Sequence, residues 1–158
     1  MKFDRDRREV IVETRNLSMH FGGVRAVEQV DFTLFDKELR CLIGPNGAGK
    51  STFFKCLTGQ LRPTSGEVLI RSQETTGAEP HEIASLGVGI KTQVPNVFDG
   101  LSVDENIWMS ARRWNKGKRA RTITAETIER LKLGDIRRDM VGRLSHGQRQ
   151  WVELGMVI

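Results

Sequence analysis

The chain has 158 residues, of which 38% are hydrophobic and 28% charged: enough for a domain with a core, and too apolar for wholesale disorder. Its 25 Lys and Arg against 20 Asp and Glu leave a formal charge of +5, which suits nucleotides, nucleic acid or an anionic membrane surface without choosing among them. Residues 2–9 are nearly all charged, Val10-Ile11-Val12 is too short for a leader's apolar core, and no apolar run reaches membrane-spanning length, so a soluble or peripheral, cytoplasmic protein is expected.

Residues 10–35 alternate between apolar and polar in two runs, marked by Val10, Val12 and Leu17 and by Val30, Phe32 and Leu34, as strands of a sheet with one covered face do. Between them, His20-Phe21-Gly22-Gly23 reads as a turn, and Phe21 is either core filling or a stacking platform for a purine base. Leu39, Cys41, Leu42 and Ile43 read as a short buried strand. Cys41 and Cys56 lack metal-ligand spacing and are read as small buried hydrophobes in a reducing compartment.

Residues 44–52 read GPNGAGKST and fit the spacing Gly-x-x-x-x-Gly-Lys-Ser/Thr with Gly44, Gly49, Lys50 and Ser51. The chemistry behind that spacing is phosphate capture. Gly47 and Gly49 free the backbone to curl, so that successive N–H groups point into one hollow. Lys50 brings a positive charge to the β- and γ-phosphates, and the Ser51 hydroxyl is placed to ligate Mg²⁺. Ser51 to Leu57 read as a helix closed by Gly59, which sets a helix N-terminus against the anion.

Pro63 and Gly66 mark a turn, Glu67–Ile70 a strand, Pro80–Leu86 a short helix closed by Gly87, and Val88–Thr92 a further strand ending at Gln93. Ser102-Val103-Asp104-Glu105 is a capping box opening a helix to Arg113, and a second helix is expected over Thr124 to Leu133. Arg112 to Arg121 carries six basic residues and no acid. With Trp114 it admits a nucleic-acid reading, but the favoured reading is a solvated, mobile loop. Residues 144–150 read LSHGQRQ; Ser145 is a good N-cap for a helix through Ile158, and Gly147 allows close backbone approach.

The order Phe21-Gly22, GPNGAGKST, a strand ending in Gln93, a helical insert and LSHGQ resembles the ATP-binding subunits of ABC transporters over essentially the whole chain. ELRCLIGPNGAGKST, LTGQLRPTSG and LSHGQRQW look most like importer subunits for urea or branched-chain amino acids. The resemblance implies an α/β P-loop NTPase fold of the ABC ATPase type, with an N-terminal antiparallel β portion and a helical insert. It divides the chain into a β portion with the Walker A core (1–93), a helical subdomain (94–143) and the signature motif with the start of its helix (144–158). It implies ATP and Mg²⁺ as cofactors. Phe21 then stacks on adenine, and Gly44, Pro45, Asn46, Gly47, Ala48, Gly49, Lys50, Ser51 and Thr52 form Walker A. Lys50 carries the main catalytic charge, Ser51 and Gln93 serve the metal, and Gln93 also senses the γ-phosphate. Ser145, Gly147 and Gln148 belong to the signature, which closes over ATP held by a second ATP-binding subunit in a head-to-tail dimer. The Gln93 loop faces transmembrane permease subunits, so the subunit is peripheral on the inner face of the cell membrane, with no direct nucleic-acid partner.

Two departures from the family pattern stand out. His146 replaces the usual first Gly of the signature, a change read as without consequence. No Walker B strand, D-loop or switch histidine follows the signature, and Glu153 lies inside the signature helix. The reading therefore expects the N-terminal part of a longer subunit that binds ATP weakly and hardly hydrolyses it, with Ile43's neighbours exposed and the fragment prone to aggregate. A GTPase is disfavoured: Asn115-Lys116-Gly117-Lys118 lacks the Asp that would read guanine, and Arg137-Arg138 precede Asp139-Met140-Val141-Gly142 where an apolar strand is needed. A soluble ABC-type ATPase acting on nucleic acid and a non-catalytic nucleotide-binding module remain the alternatives.

Overall fold

In the computed structural model, residues 9–91 and 94–157 are described, and they form two units that meet in the chain between Val88 and Gly89. The first is built on a long hairpin, β1 (Val10–Phe21) and β2 (Val24–Phe35), joined through Gly22-Gly23 with Phe21 opposite Val24. A strand β3 (Ser65–Ile70) pairs antiparallel with the other edge of β1, and a two-residue β4 (Gln73–Glu74) completes the order β2-β1-β3-β4.

The alternation of apolar residues expected along β1 changes phase midway, since Thr14, Leu17 and Met19 are all buried. A bulge reconciles them: the β1 register shifts on both edges after Thr14–Arg15, and Asn16 takes φ +47°, where its N–H donates to Asp31 Oδ1 at 2.6 Å. The extra residue returns Leu17 to the covered face. There it packs with Val27, Val68 and the helix α1 (Lys50–Leu57), whose Phe53 and Cys56 are buried and whose Phe53 ring meets Phe32 edge-on at 5.5 Å. A short α2 (Pro80–Ser85) follows, capped reciprocally by Glu79 and Glu82.

Two sequence expectations are corrected here. Leu39–Ile43 is not a buried strand: Leu39 and Ile43 are each 91% exposed, and Cys41 is exposed where burial was expected. A strand exists only as a partner in a ladder, and no described residue pairs with this segment. The same reason applies to 88–91, which form no strand and leave Ile90 exposed; Thr92 lies outside the described residues. The exposure expected around Ile43 is thus what the structure has.

The second unit packs α3 (Val103–Trp114), α4 (Gly117–Arg130) and α5 (His146–Val157) around Val103, Ile107, Ile128, Leu133, Val141 and Val152. The capping box forms as read: Ser102 Oγ accepts from Glu105 N at 3.2 Å, and the Glu105 carboxylate accepts from Ser102 N at 2.8 Å. Hydrogen bonds from the Ser102 backbone and then its hydroxyl hold the Glu105 carboxyl below its usual range. α4 begins seven residues before the expected Thr124, so the basic segment is the end of one helix and the start of the next, with only Asn115 and Lys116 between them. Lys, Arg and Ala favour helix once a neighbouring helix supports it, and Ala120 is buried.

Asn106 organises the segment before α3. It is fully buried; its Oδ1 accepts from Phe98 N at 2.8 Å, and its Nδ2 donates to the carbonyls of Phe98 and Ser102, each at 3.0 Å. Asn106→Leu strands the Phe98 N–H, while Phe98 O keeps the Leu101 N–H at 3.1 Å, and the second unit should lose about 1–3 kcal/mol in urea unfolding followed by helical circular dichroism. An unchanged midpoint would mean that the Phe98 N–H finds another partner.

Candidate functional site

The phosphate-loop residues lie in the first unit, between the extended segment and α1. Asn46 and Gly47 form the turn, with Ala48 N donating to Pro45 O at 3.3 Å. Gly47 (φ +84°) and Gly49 (φ +81°) both adopt the left-handed conformation that favours glycine. They do so for different reasons. A Cβ on Gly47 would meet nothing within 4 Å, so this glycine serves curvature alone, whereas a Cβ on Gly49 would stand 2.0 Å from Ala26 O. Gly49 is where the loop is pressed onto β2, and it is also the N-cap of α1, accepting from Phe53 N at 2.8 Å.

Lys50 lies back across the loop. Its ammonium donates to Gly44 O at 2.7 Å and Pro45 O at 2.6 Å, which fixes a full positive charge at the loop's edge. Beside it stand the leading N–H groups of α1, which a helix cannot satisfy internally, and no acid occupies that first turn. Gly44, Pro45, Asn46, Gly47, Ala48 and Ser51 are exposed and Thr52 is half-buried. The arrangement sets a cation beside unsatisfied backbone donors on an exposed loop, a combination suited to an anion. It fits a di- or triphosphate: the backbone and Lys50 supply donors, and the Ser51 hydroxyl is free to face a phosphate-bound Mg²⁺. No cluster of three acidic, His or Cys ligands that could hold a metal by itself occurs among the described residues, so phosphate oxygens would have to complete the metal's shell.

Phe21 caps the end of β1, 45% exposed. Its partner Val24 lies two residues before Ala26, the Gly49 contact, so the Phe21 pairing position is about 7 Å along the strand from the loop's anchor. At that exposure the ring is not core filling. Gln93 falls outside the described residues.

In the second unit, Ser145 caps α5 through the reciprocal pair Gln148 N to Ser145 Oγ (3.3 Å) and Ser145 N to Gln148 Oε1 (2.9 Å). Gly147 is exposed, with nothing within 4 Å of where a Cβ would be. His146 is the first residue of α5, shows no left-handed φ, and places Nε2 3.0 Å from Gln150 Nε2. A side chain is therefore tolerated where the family pattern has glycine. Gly155 seats the helix, since a Cβ there would press on Ile107 Cδ1 and Leu131 Cδ1 at 3.1 Å.

Two supports escaped the sequence reading. Arg149 Nη2 donates to Gly142 O at 2.6 Å and Nε to Leu144 O at 3.2 Å, bracing the approach to Ser145, while Nη1 stands 3.5 Å from Asp99 Oδ1. Glu153, 3% exposed, accepts from Asn96 N at 3.1 Å and faces the Lys91 ammonium at 3.3 Å, which ties the segments flanking Gln93 to α5. An acid beside the buried Val152 on a helix is the only linear signal for it. Its partner Asn96 is 57 residues away, so no local spacing could have named the contact.

The profile of a family described as ABC transporter matches residues 27–158. Among curated proteins, the high-affinity branched-chain amino acid transport ATP-binding protein LivG of Escherichia coli K12 is 34% identical over 146 residues, which span 89% of this chain and 57% of LivG. BraF of Pseudomonas aeruginosa, a protein of the same description, is 31% identical over 160 residues, spanning 91% and 63%. A putative ribose/galactose/methyl galactoside import ATP-binding protein of Rhizobium meliloti is 34% identical over 150 residues, spanning 94% of this chain and 30% of that protein. The chain thus spans less than two thirds of the length of the relatives it matches. Of solved structures, a nucleotide-free ATP-binding cassette from an ABC transporter superposes with a TM-score of 0.80 at 28% identity, covering 94% of this chain and 64% of that one. The ADP conformation of the cassette MJ1267 superposes with the same score at 26% identity and the same coverage.

Proposed function

The chain belongs to the ABC transporter family, and from that premise we propose that it binds Mg·ATP as part of the ATP-binding subunit of an importer for a small solute of the branched-chain amino acid or urea type. The observation that carries the reading is the pinned Lys50 ammonium beside the acid-free N-terminus of α1. Phosphates meet the loop of residues 44–52, adenine lies on Phe21, and the Ser51 hydroxyl attends the metal. Mg²⁺ held at the Ser51 hydroxyl would supply neutralisation of phosphate charge; orienting the phosphates falls to Lys50 and the loop backbone.

A γ-phosphate held from one side still presents oxygens outward. The capped helix start at Ser145, Gly147 and Gln148 offers a second donor surface, and it serves the nucleotide of a second ATP-binding subunit in a head-to-tail pair. Closure then depends on the γ-phosphate, and its hydrolysis in the complete subunit releases the pair. On this reading the chain between Lys91 and Asn96, the two residues that Glu153 holds, serves the permease subunits, and the subunit works at the cytoplasmic side of the membrane.

Titration with Mg·ATP tests the first step. At a concentration 100 times Kd the ligand should stabilise the first unit by about 2.7 kcal/mol, read as a rise in its melting midpoint. Mg·ATP that leaves the midpoint and the heat of mixing unchanged would refute nucleotide binding and with it the proposal.

A further inference from the structure

We propose that the corner where α3 ends and α4 begins is a docking surface for an anionic lipid membrane. The choice of lipid rests in part on the importer reading above, which sets the chain beside a membrane.

Arg112 to Arg121 holds six Lys and Arg and no acid, a charge of +6, whereas the other 148 residues hold 19 basic against 20 acidic side chains and sum to −1. The chain's whole net positive charge is therefore gathered into ten residues. Arg112, Arg113, Lys116, Lys118, Arg119 and Arg121 are all exposed. The segment is also ordered as a corner. Asn115 Nδ2 donates to Ala111 O at 3.1 Å to end α3, Gly117 turns the chain with φ +54°, and buried Ala120 roots the first turn of α4. That turn contains no acid and Lys116 caps it with no side-chain hydrogen bond, so the helix adds its own partial positive charge to the patch.

Trp114 selects among anionic partners. It is 61% exposed, with the Arg113 guanidinium 5.0 Å from its ring centroid, and one turn back Arg112 lies 5.0 Å from the ring of Trp108. A ring with an apolar body and a polar N–H, flanked by cations, suits the boundary between headgroups and acyl chains. Single-stranded nucleic acid is held instead by several stacking rings along a groove. These ten residues carry one aromatic side chain on a helix corner.

The test is co-sedimentation of the 158-residue chain with phosphatidylcholine vesicles, with and without phosphatidylglycerol, beside an oligonucleotide-binding measurement. The chain should bind the anionic vesicles, leave the neutral ones, and release as salt is raised. The combined variant Lys116→Gln, Lys118→Gln, Arg119→Gln should weaken binding by about fivefold per charge removed. Lys37→Gln, Lys132→Gln, Arg138→Gln removes as much charge from exposed sites elsewhere and should change binding by less than about twofold under the same rule. Trp114→Ala should weaken binding at unchanged net charge and reduce the blue shift of tryptophan emission on anionic vesicles. No binding to phosphatidylglycerol, equal losses in the two charge variants, or tighter binding to the oligonucleotide than to vesicles would each overturn the proposal. Mg·ATP affinity measured on the same preparations reports separately on the importer reading, because no exchanged residue belongs to the phosphate loop.

Discussion

Lys50→Ala should lower Mg·ATP affinity by about 100-fold while leaving the fold in place. The ammonium already donates to two carbonyls, Gly44 O and Pro45 O, so it stands at the loop's edge before any phosphate arrives. A hydrogen bond to a charged group contributes about 1.5–3 kcal/mol, so two such bonds to phosphate oxygens amount to roughly 3 kcal/mol, or two decades in Kd. The apoprotein loses only two bonds at an exposed loop, about 1 kcal/mol each at most in net terms. Calorimetric titration then separates the effects: whatever the fall in the apoprotein midpoint, up to roughly 8–16 °C, the variant should lose most of the further Mg·ATP-induced rise. Lys50→Arg preserves charge but replaces a compact ammonium by a broad planar fork, and should recover only part of the affinity. Equal affinities of Lys50→Ala and the parent chain would remove the phosphate loop from the account of function.

Gly49→Ala should damage the first unit itself. At φ +81° an L-residue carries about 1–2 kcal/mol of conformational cost. Its Cβ would in addition stand 2.0 Å from Ala26 O and 3.1 Å from Ala26 C, backbone atoms of a paired strand that cannot rotate aside. Loop and β2 must separate, at a combined cost of about 3 kcal/mol or more. Gly47→Ala is the internal control. Its φ of +84° carries the same conformational term, but open space surrounds the site. Each kcal/mol moves the midpoint of a unit of this size by roughly 4–8 °C, so Gly49→Ala should melt at least several degrees below Gly47→Ala. Indistinguishable midpoints would mean that the loop does not rest on Ala26 in solution.

Much of the candidate site could be read from the chain because its chemistry is local. A phosphate loop needs glycines, a lysine and a hydroxyl within nine residues, and a capped helix start needs Ser145 and Gln148 three apart, so adjacent letters carry the whole signal. The hairpin, the capping box at Ser102 and the closing glycines at 59 and 87 were legible for the same reason. What was misread depended on partners far away or on support from a neighbour. Leu39–Ile43 has strand composition but lacks the pairing that makes a strand, and the basic run around Lys116 has a loop's charge but gains helix from packing through Ala120. The phase change in β1 likewise needed the bulge at Asn16, which alternation alone cannot register.

By itself, then, the order of residues determined the glycine-rich loop with its lysine and hydroxyl, the capped helix starts and the family, since each depends on side chains and backbone propensities within one or two turns of chain. Only the tertiary structure decided that Gly49 is clamped by Ala26, that Glu153 holds Asn96 and Lys91, that Asn106 satisfies Phe98, and that the basic run of residues 112–121 forms a helical corner. Such contacts join residues as far apart in the chain as Lys91 and Glu153. Their energies come from close approach and desolvation, quantities that belong to the packed chain rather than to any stretch of it.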